Sequence, residues 1–598
     1  MPAHRWSMKR TVQVILGTAA VLGMASDGLA HAEIISPTPV ASTTMAVTLK
    51  PEMARDGRVI GKIGVEVRVG RLTVAAGQPI ARLALIADNV DTVATVVSNL
   101  TIADQDGPVS VQWRDIDLPV EDARDSETGG PTREWYATRA ISGPVTIRYS
   151  APAMATLPPR GPAGPLELRN EDQAVSGAGN TFLILPPGKQ RYRVSLEWIL
   201  TRLPAGARGF SSLGEGRSIN PSMSPSELRM SYFMAGKVGG WPATPEPRGF
   251  FSAWQGQPPF DAAALMRWTS VLHGHYRTFF GQKASDPYGV FLRYNPVNAG
   301  GGTGFFRSFV TTYGAGKGGD VNEMKTTLAH EMFHTFQPFI TVPAGKASSW
   351  FGEGLAVFYE ANLPFRYGMI PANVYIEDIN FSASRYYSSI KANLPNEAIA
   401  DGFWKDTRIR TLAYDRGMIY FAIVNEQVRH ASGGKRSLDD LMLAMLKRQQ
   451  AKGSLSNDDW QQVLNQYLGA AGVLGFRRFL AGELQLPSAS AFGDCFTRVT
   501  KRVRRYEVGF DPALLAEPKR IIRGLVQGSS AERAGLRNGD EIVKPVPQDH
   551  IQGAQGMLLV LTIRRGARTF PVSYLPRGDE VNVYQWVPAP SADERCRS

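Results

Sequence analysis

Cysteine and histidine are both scarce in this chain of 598 residues, which has two cysteines and eight histidines. Two cysteines cannot form a four-cysteine metal site. In an oxidising compartment they favour one disulfide, here between Cys495 and Cys596, although two free thiols remain the alternative. Any metal site must therefore draw on histidine and carboxylate side chains.

Long apolar runs are also missing after residue 32, so the sequence predicts no membrane-spanning segment there. The first 32 residues differ. Arg5, Lys9 and Arg10 precede the apolar run TVQVILGTAAVLGMA (11–25), and Ala30-His31-Ala32 follows it. This layout predicts a signal peptide over residues 1–32 and an exported protein, periplasmic or secreted, with an uncleaved anchor as the alternative.

The basic residues do not form a nucleic-acid-binding pattern. The formal net charge is +12, but the only dense basic run is RVTKRVRR (498–505), which we interpret as a solvated linker. No recognition motif accompanies it, so the sequence predicts no nucleic-acid partner. The composition, with 43% hydrophobic and 20% charged residues, is that of a globular protein.

Three domains are predicted from the texture of the chain. Residues 33–245 contain strand-like runs separated by turn-formers, which indicates a β-sandwich-like domain. Residues 246–490 combine helical spacing with a few strands, which indicates an α+β domain. Residues 506–585 are predicted to form a smaller β unit, followed by a tail over 586–598.

The segment HEMFH (330–334) places two histidines four residues apart with a glutamate after the first. On a helix, His330 and His334 then lie on one face and can share one metal ion, with Glu331 beside it. Zinc lowers the pKa of water to about 7, and a neighbouring carboxylate can accept the proton as water attacks a carbonyl. The spacing thus predicts one zinc ion, with Glu331 as general base.

The helix itself is predicted from its surroundings. Asp320 and Glu323 have the spacing of a capping box. Leu328, Met332 and Phe336 form an apolar stripe, and Pro338 is predicted to stop the helix.

Two further segments resemble the gluzincin zinc peptidases. WFGEGLAVFYE (350–360) is similar to their W-x-x-E-G segment, which implies Glu353 as the third zinc ligand; a solvated helix glutamate is the alternative. Tyr414-Asp415-Arg416-Gly417 matches their Tyr-x-Lys/Arg-Gly segment, which implies that Tyr414 hydrogen-bonds the oxyanion, with a core tyrosine as the alternative. Glu360 falls on the same helix face as Glu353 and either orients a ligand histidine or forms an ordinary ion pair.

The segment RGLVQGSSAERAGLRNGDEIV (523–543) resembles a PDZ domain. Taken with the zinc motif and the order of domains, it makes the chain similar to the glycyl aminopeptidase family of gluzincin metallopeptidases. The resemblance implies a β-sandwich-like domain, a thermolysin-like catalytic domain and a C-terminal PDZ-like domain, which would take a peptide ligand at a sheet edge. It also implies peptide or protein substrates.

The chain departs from this family at the strand before the zinc helix, where members carry G-G-x-E-H. The glutamate there binds the free amino terminus of the substrate. The matching residues here are Gly301-Gly302-Thr303-Gly304-Phe305, and no Asp or Glu occurs between Asp286 and Asp320. We expect Gly302, Thr303, Gly304 and Phe305 to bind substrate, with Phe305 and Phe306 lining subsites.

The sequence therefore predicts an exported zinc metallopeptidase, an aminopeptidase by resemblance. Because the amine-binding carboxylate is replaced, an endopeptidase or a peptidase of N-blocked peptides is the first alternative. A catalytically silent, PDZ-type peptide-binding protein is the second. The oligomeric state does not follow from the sequence.

Overall fold

The computed structural model describes residues 43–119, 130–157, 164–246, 248–282, 286–296, 299–314, 316–544, 546 and 548–590. These residues belong to one compact unit. The predicted signal peptide (1–32) and Cys596 lie outside the described residues, so the cleavage and the Cys495–Cys596 disulfide stay predictions. Within the described ranges, no helix has both the length and the apolar character needed to cross a bilayer.

Strands dominate the chain before residue 238, as its alternating pattern predicts. Met45, Val47 and Leu49 are buried while the residues between them are not, because successive side chains of a strand point to opposite faces. The elements are β1 (Thr44–Met53), β2 (Ile60–Val74), β3 (Pro79–Ala84), β4 (Ile86–Ala87), β5 (Val90–Asp91), β6 (Ser98–Asp104), β7 (Gly107–Val109), β8 (Val111–Leu118), β9 (Gly130–Ala137), β10 (Ile141–Pro152), β11 (Arg169–Glu171), β12 (Ala174–Ala178), β13 (Tyr192–Trp198), β14 (Arg208–Ser211), β15 (Gly214–Glu215), β16 (Ser218–Met223), α1 (Pro225–Arg229) and β17 (Tyr232–Gly236).

These strands form layered sheets around a shared core. The largest sheet has the order β16-β13-β1-β2-β10-β6-β7, and smaller sheets have the orders β11-β12-β17-β14-β15, β3-β9-β8 and β4-β5. Buried apolar side chains from the seven-, five- and three-stranded sheets pack into one cluster. The N-terminal region thus has an apolar core of its own, and it lies beside the part of the chain that carries the zinc motif.

A five-stranded mixed sheet follows, with the order β18-β19-β20-β22-β21. Its strands are β18 (Val238–Trp241), β19 (Phe250–Gln255), β20 (Tyr288–Asn295), β21 (Gly302–Phe305) and β22 (Ser308–Gly314). β19 and β22 run parallel to β20, whereas β21 pairs antiparallel with β22 and forms an edge. An edge strand presents one row of main-chain N–H and C=O groups that the sheet does not use.

One long helix precedes β20, and helices form most of the chain between residues 320 and 480. They are α2 (Ala262–Phe279), which precedes β20, then α3 (Val321–His334), α4 (Ser349–Arg366), α5 (Ala372–Ser388), α6 (Ile399–Gly402), α7 (Thr407–Ala431), α8 (Leu438–Lys452) and α9 (Asn457–Leu480). The α+β character predicted for this region is present, although β18 begins before the predicted boundary at residue 246.

Helix α3 carries the HEMFH segment and begins where the sequence predicts. The Asp320 carboxylate accepts hydrogen bonds from the main-chain N–H groups of Asn322 (2.8 Å) and Glu323 (3.0 Å), which caps the helix. Leu328 and Met332 are fully buried, as the apolar stripe predicts. The helix ends at His334, earlier than the predicted stop at Pro338.

Helices α4 and α7 cross in main-chain contact at Gly354 and Gly417. A methyl group on Gly354 would lie 2.7 Å from the Cα of Gly417, and one on Gly417 would lie 2.8 Å from the Cα of Gly354. Only glycine at both positions allows this approach. Glu353 immediately precedes Gly354, and Tyr414 lies one turn before Gly417, so the crossing sets the distance between these two side chains.

The C-terminal unit is a small β structure with its own core. Its elements are β23 (Phe496–Tyr506), β24 (Arg520–Ile521), α10 (Ser530–Arg533), β25 (Glu541–Ile542), α11 (Asp549–Gly553), β26 (Leu559–Arg565), β27 (Arg568–Tyr574) and β28 (Arg577–Pro588). β24, β25, β26 and β27 form one antiparallel sheet, and β23 pairs with β28 in a two-stranded ribbon.

The interpretation of residues 498–505 as a linker is wrong, because they lie within β23. Lys501 and Arg502 are exposed, whereas Phe496 and Tyr506 at the strand ends are buried. The partner strand β28 lies far along the chain, so the local charge pattern could not indicate it. β28 also extends into the predicted tail, where Trp586 is fully buried.

The glycine crossing leads to a test of stability. We expect Gly417→Ala to lower the free energy of unfolding by about 1–3 kcal/mol, because the added methyl forces α4 and α7 apart. Urea unfolding of the full chain measures this. Gly274→Ala is the control, since Gly274 lies in α2 with open space around it, and it should be neutral or stabilising. Equal stability of Gly417→Ala and the parent protein would show that the crossing tolerates a side chain.

Candidate metal centre and active site

Two histidines meet on the inner face of α3, as their spacing predicts. His330 and His334 are one helical turn apart, and their Nε2 atoms lie 3.0 Å from each other. The rings are nearly perpendicular, with an interplanar angle of 87°. Both side chains are mostly buried, with 12% and 15% of their surface exposed. The two ring nitrogens therefore point at the same small volume.

Glu353 of α4 completes the group. Its Oε2 lies 3.4 Å from the Nε2 of His330 and 3.2 Å from the Nε2 of His334. This oxygen is buried and has no hydrogen-bond partner among the described residues. Burial opposes ionisation, but the two histidines hold the pKa of Glu353 well below its usual range. The described residues contain one group of this kind suited to a metal ion, and it consists of these three side chains.

Each histidine is held from behind by a polar side chain. Glu360 lies 2.5 Å from the Nδ1 of His330, a contact that both of its predicted roles allow. Gln337 lies 2.6 Å from the Nδ1 of His334 and donates a hydrogen bond to the carbonyl of Gly352 at 3.1 Å. A carboxylate at Nδ1 accepts the ring proton, so Glu360 fixes the orientation of the His330 ring and leaves its Nε2 for a metal. Gln337 was not predicted, although its position one turn after His334 is a usable signal.

Glu331 lies beside this group in a buried position. Burial raises the pKa of its carboxyl above the usual value, while the two histidines lower it. The strand β21 passes directly over it: a methyl group on Gly302 would lie 2.5 Å from the Cγ of Glu331 and 2.7 Å from its Oε1. Glycine at this position is therefore required for the close approach of the strand to the carboxylate.

The residues of β21 alternate between two faces. Gly302 faces Glu331, and Gly304 faces α3, where its added methyl would lie 3.7 Å from the Cβ of His334. Thr303 points the other way, toward Gly164. Phe305 also points away and packs against Tyr232, with ring centroids 5.4 Å apart.

The prediction that phenylalanine side chains line substrate subsites is therefore wrong. Phe305 is buried, and Phe306 packs against the core of the N-terminal region. The period of two in a strand places Phe305 opposite the face that carries Gly302 and Gly304. The main chain of β21, rather than these rings, faces the zinc helix.

Tyr414 of α7 lies against the metal group, which consists of the side chains of His330, His334 and Glu353. Its ring stacks on that of His330, with centroids 6.1 Å apart and an interplanar angle of 16°. Burial and the Glu353 carboxylate raise the pKa of Tyr414 well above its usual value, and Arg410 opposes this rise. The phenol therefore keeps its proton at neutral pH and can donate a hydrogen bond.

The three residues after Tyr414 secure its helix. Asp415 is paired with Arg385 of α5 at 2.5 Å. Arg416 is fully buried and donates to the carbonyl of Leu394 at 2.5 Å. Gly417 contacts Gly354 of α4. In the segment Tyr-Asp-Arg-Gly, the first residue thus faces the metal group, and the next three fix the position of α7.

The candidate site arises from four elements brought together in space. α3 supplies two nitrogen donors and a carboxylate, α4 an oxygen donor, α7 a phenol and β21 an open strand edge. A nitrogen–nitrogen–oxygen donor set is of the type that holds zinc at sites with three protein ligands.

Neither a protein-family model nor a curated protein matches this sequence at a significant level. Solved structures do show similar folds. A crystal structure described as an aminopeptidase N family protein from Idiomarina loihiensis has a TM-score of 0.64 and 12% identity, covering 92% of this chain and 99% of that chain. An M1 zinc metallopeptidase from Deinococcus radiodurans has a TM-score of 0.45 and 16% identity, covering 75% of this chain and 96% of that chain. The first comparison shows that the chain has the fold of an aminopeptidase N family protein over nearly its whole length.

Proposed function

We propose that this protein is a zinc-dependent metallopeptidase that hydrolyses peptide bonds. The observation that carries the proposal is the convergence of His330, His334 and Glu353 beside a buried carboxylate and a partly buried phenol. The fold shared with an aminopeptidase N family protein supports the same class of activity. An exported location and the more specific resemblance to glycyl aminopeptidases with a PDZ-like domain belong to this proposal as well.

The three donors suit zinc by type and by placement. Imidazole nitrogens and a carboxylate oxygen are its usual ligands at catalytic sites, where three protein ligands leave one position open. The buried Oε2 of Glu353 faces the Nε2 atoms of both histidines, so the three donor atoms surround one volume that a cation can fill. A zinc ion held by His330, His334 and Glu353 would polarise the carbonyl of the substrate and lower the pKa of water.

Glu331 is proposed as the general base. Its raised pKa keeps the carboxylate basic enough to accept a proton from the attacking water. The same carboxyl then returns that proton to the nitrogen of the departing amine. Because Gly302 lies against its Cγ, the side chain has little freedom to turn away from the reacting atoms.

Tyr414 is proposed as the donor to the developing oxyanion. A protonated phenol that is already in place spends no energy on reorientation as negative charge forms on the substrate oxygen. Its stacking on His330 places the hydroxyl-bearing ring next to the metal group. The loss of one such donor typically costs about 10²–10³ in kcat.

The edge strand β21 is proposed to bind the substrate main chain. An extended peptide can pair with an exposed strand edge through N–H and C=O groups. With Gly302 and Gly304 on the face toward α3, no side chain of β21 separates such a peptide from His334 and Glu331. Thr303 and Phe305 would contribute through their main chain.

A second candidate, cleavage of internal or N-blocked peptide bonds, is favoured by Gly304. The resemblance would place an amine-binding glutamate at this position, and glycine has no carboxylate to offer. A buried ammonium without a carboxylate partner costs several kcal/mol, so free amino termini lose their advantage. The catalytic residues are the same in both candidates.

The role of Glu331 is tested by Glu331→Gln. We expect turnover to fall by about 10²–10⁴, because the amide cannot accept the proton, while one zinc ion per chain remains bound. Peptide hydrolysis and metal content measured on the same sample check this. Glu377→Gln, at an exposed glutamate of α5, serves as the control and should keep full activity. Unchanged hydrolysis by Glu331→Gln would contradict the proposed mechanism. The absence of hydrolysis in the parent protein would instead favour a peptide-binding role.

The support of His330 by Glu360 is tested through zinc affinity. We expect Glu360→Gln to weaken zinc binding about 10–100-fold, because the carboxylate orients the imidazole and increases its basicity. Competition with a chelating dye measures the affinity directly, with Glu377→Gln again as the control. An affinity equal to that of the parent protein would mean that Glu360 is not needed to hold the ring.

The class of substrate is tested with one peptide pool in two forms, with free and with acetylated amino termini. We expect chelator-sensitive cleavage in both pools, because Gly304 provides no carboxylate for an ammonium group. Mass spectrometry of the products identifies the cut sites. Trimming of single residues from free ends only would instead identify an aminopeptidase whose amine-binding group comes from another segment.

A further inference from the structure

The short helix α11 of the C-terminal unit packs against the helix that carries Tyr414. Asp549 and Gln552 lie three residues apart and so share one face of α11. The Asp549 carboxylate is 2.5 Å from the Nη2 of Arg410 and also accepts a hydrogen bond from the hydroxyl of Thr407. The amide of Gln552 donates to the hydroxyl of Thr411 at 3.2 Å.

The residues that α11 contacts lead directly to the phenol. Thr407, Arg410, Thr411 and Tyr414 follow one another at spacings of three and one residues, so they occupy neighbouring positions on one side of α7. Thr407 is the first residue of the helix, and Tyr414 stands two turns later. The contacts with α11 therefore hold the first two turns of α7, immediately before the catalytic candidate.

α11 is itself firmly held in the C-terminal unit. The buried guanidinium of Arg577, on β28, donates hydrogen bonds to the carbonyls of Ile551, Gln552 (3.2 Å) and Ala554 (2.6 Å). These are the main-chain acceptors at the end of α11, which a short helix cannot satisfy internally. These hydrogen bonds fix α11 relative to β28.

Contacts with α5 complete the attachment. Gly553 lies so close to Phe381 that an added methyl would be 2.5 Å from the ring. His550 stacks on the same ring, with centroids 5.6 Å apart. Arg385 of α5, which pairs with Asp415, also donates to the main-chain carbonyl of Asp549 at 3.4 Å. The face of α11 that contacts α5 and α7 is therefore covered and is not available to a peptide ligand.

We propose that Asp549 and Gln552 are positioning residues for Tyr414, so that the C-terminal unit helps to hold the active site in its functional geometry. This inference rests on the proposed role of Tyr414. α7 is fixed after Tyr414 by the Gly354–Gly417 contact and before it by α11. Release of the second support lets the phenol shift, and a misplacement of about 1 Å can cost 10²-fold in rate.

The first measurement is steady-state kinetics of the full chain with Asp549→Asn and Gln552→Ala. We expect kcat to fall about tenfold or more with KM nearly unchanged, because an oxyanion donor acts only in the transition state. Zinc content should stay at the level of the parent protein. Glu541→Gln and Gln555→Ala are the controls, since both alter polar contacts inside the C-terminal unit, with Arg564 and Arg504 respectively.

The second measurement repeats Gln552→Ala in a Tyr414→Phe background. If Gln552 acts through the phenol, its substitution should cost nothing further once the hydroxyl is gone. An equal loss of kcat in both backgrounds, or no loss in either, would overturn the inference while leaving the proposed peptidase intact. A Tyr414→Phe variant with the kcat of the parent protein would instead overturn the role of Tyr414, and the inference with it.

A third readout does not depend on turnover. Hydrogen exchange of residues 407–414 should be faster in Gln552→Ala than in the parent protein, with and without zinc, and exchange in α9 should be unchanged. Identical exchange in α7 would show that α11 does not support this helix, whatever the kinetics.

Discussion

The main-chain contact between Gly354 and Gly417 is the constraint on which the arrangement of the site depends. It brings α4 and α7 closer than any pair of side-chain-bearing residues would allow. Along the same two helices, Trp350 and Phe421 stack at 5.8 Å and secure the crossing with apolar surface. As a result, Glu353 reaches both histidines of α3, and Tyr414 lies over His330.

The site also concentrates negative charge. Glu331, Glu353 and Glu360 are three carboxylates gathered around two imidazoles in a mostly buried volume. These side chains are mostly buried, so unpaired negative charge is costly and a cation is strongly favoured. The three groups differ by what they face: Glu353 faces both Nε2 atoms, Glu360 faces an Nδ1, and Glu331 faces Gly302 of β21.

Strand β21 depends on contacts with other parts of the chain. β21 turns its glycines toward α3 and its larger residues toward the N-terminal region, where Tyr232 packs against Phe305. The N-terminal region thus supports the strand from behind, and the C-terminal unit contacts α7 through α11. The site lies in the α+β region, and the N-terminal region and the C-terminal unit pack behind β21 and α7, two of the elements that form it.

The sequence alone determined the two nitrogen donors and the helix that carries them, because the spacing of His330 and His334 and the Asp320 cap are local features. Glu353 and Tyr414 followed from segment resemblance, since neither distance to the metal group can be read from the chain. Only the tertiary structure decided that Gln337 supports His334, that Phe305 faces away from the site and that residues 498–505 form a strand. Each of these depends on pairing or packing between segments far apart in sequence, and local periodicity does not encode which distant partner a residue meets.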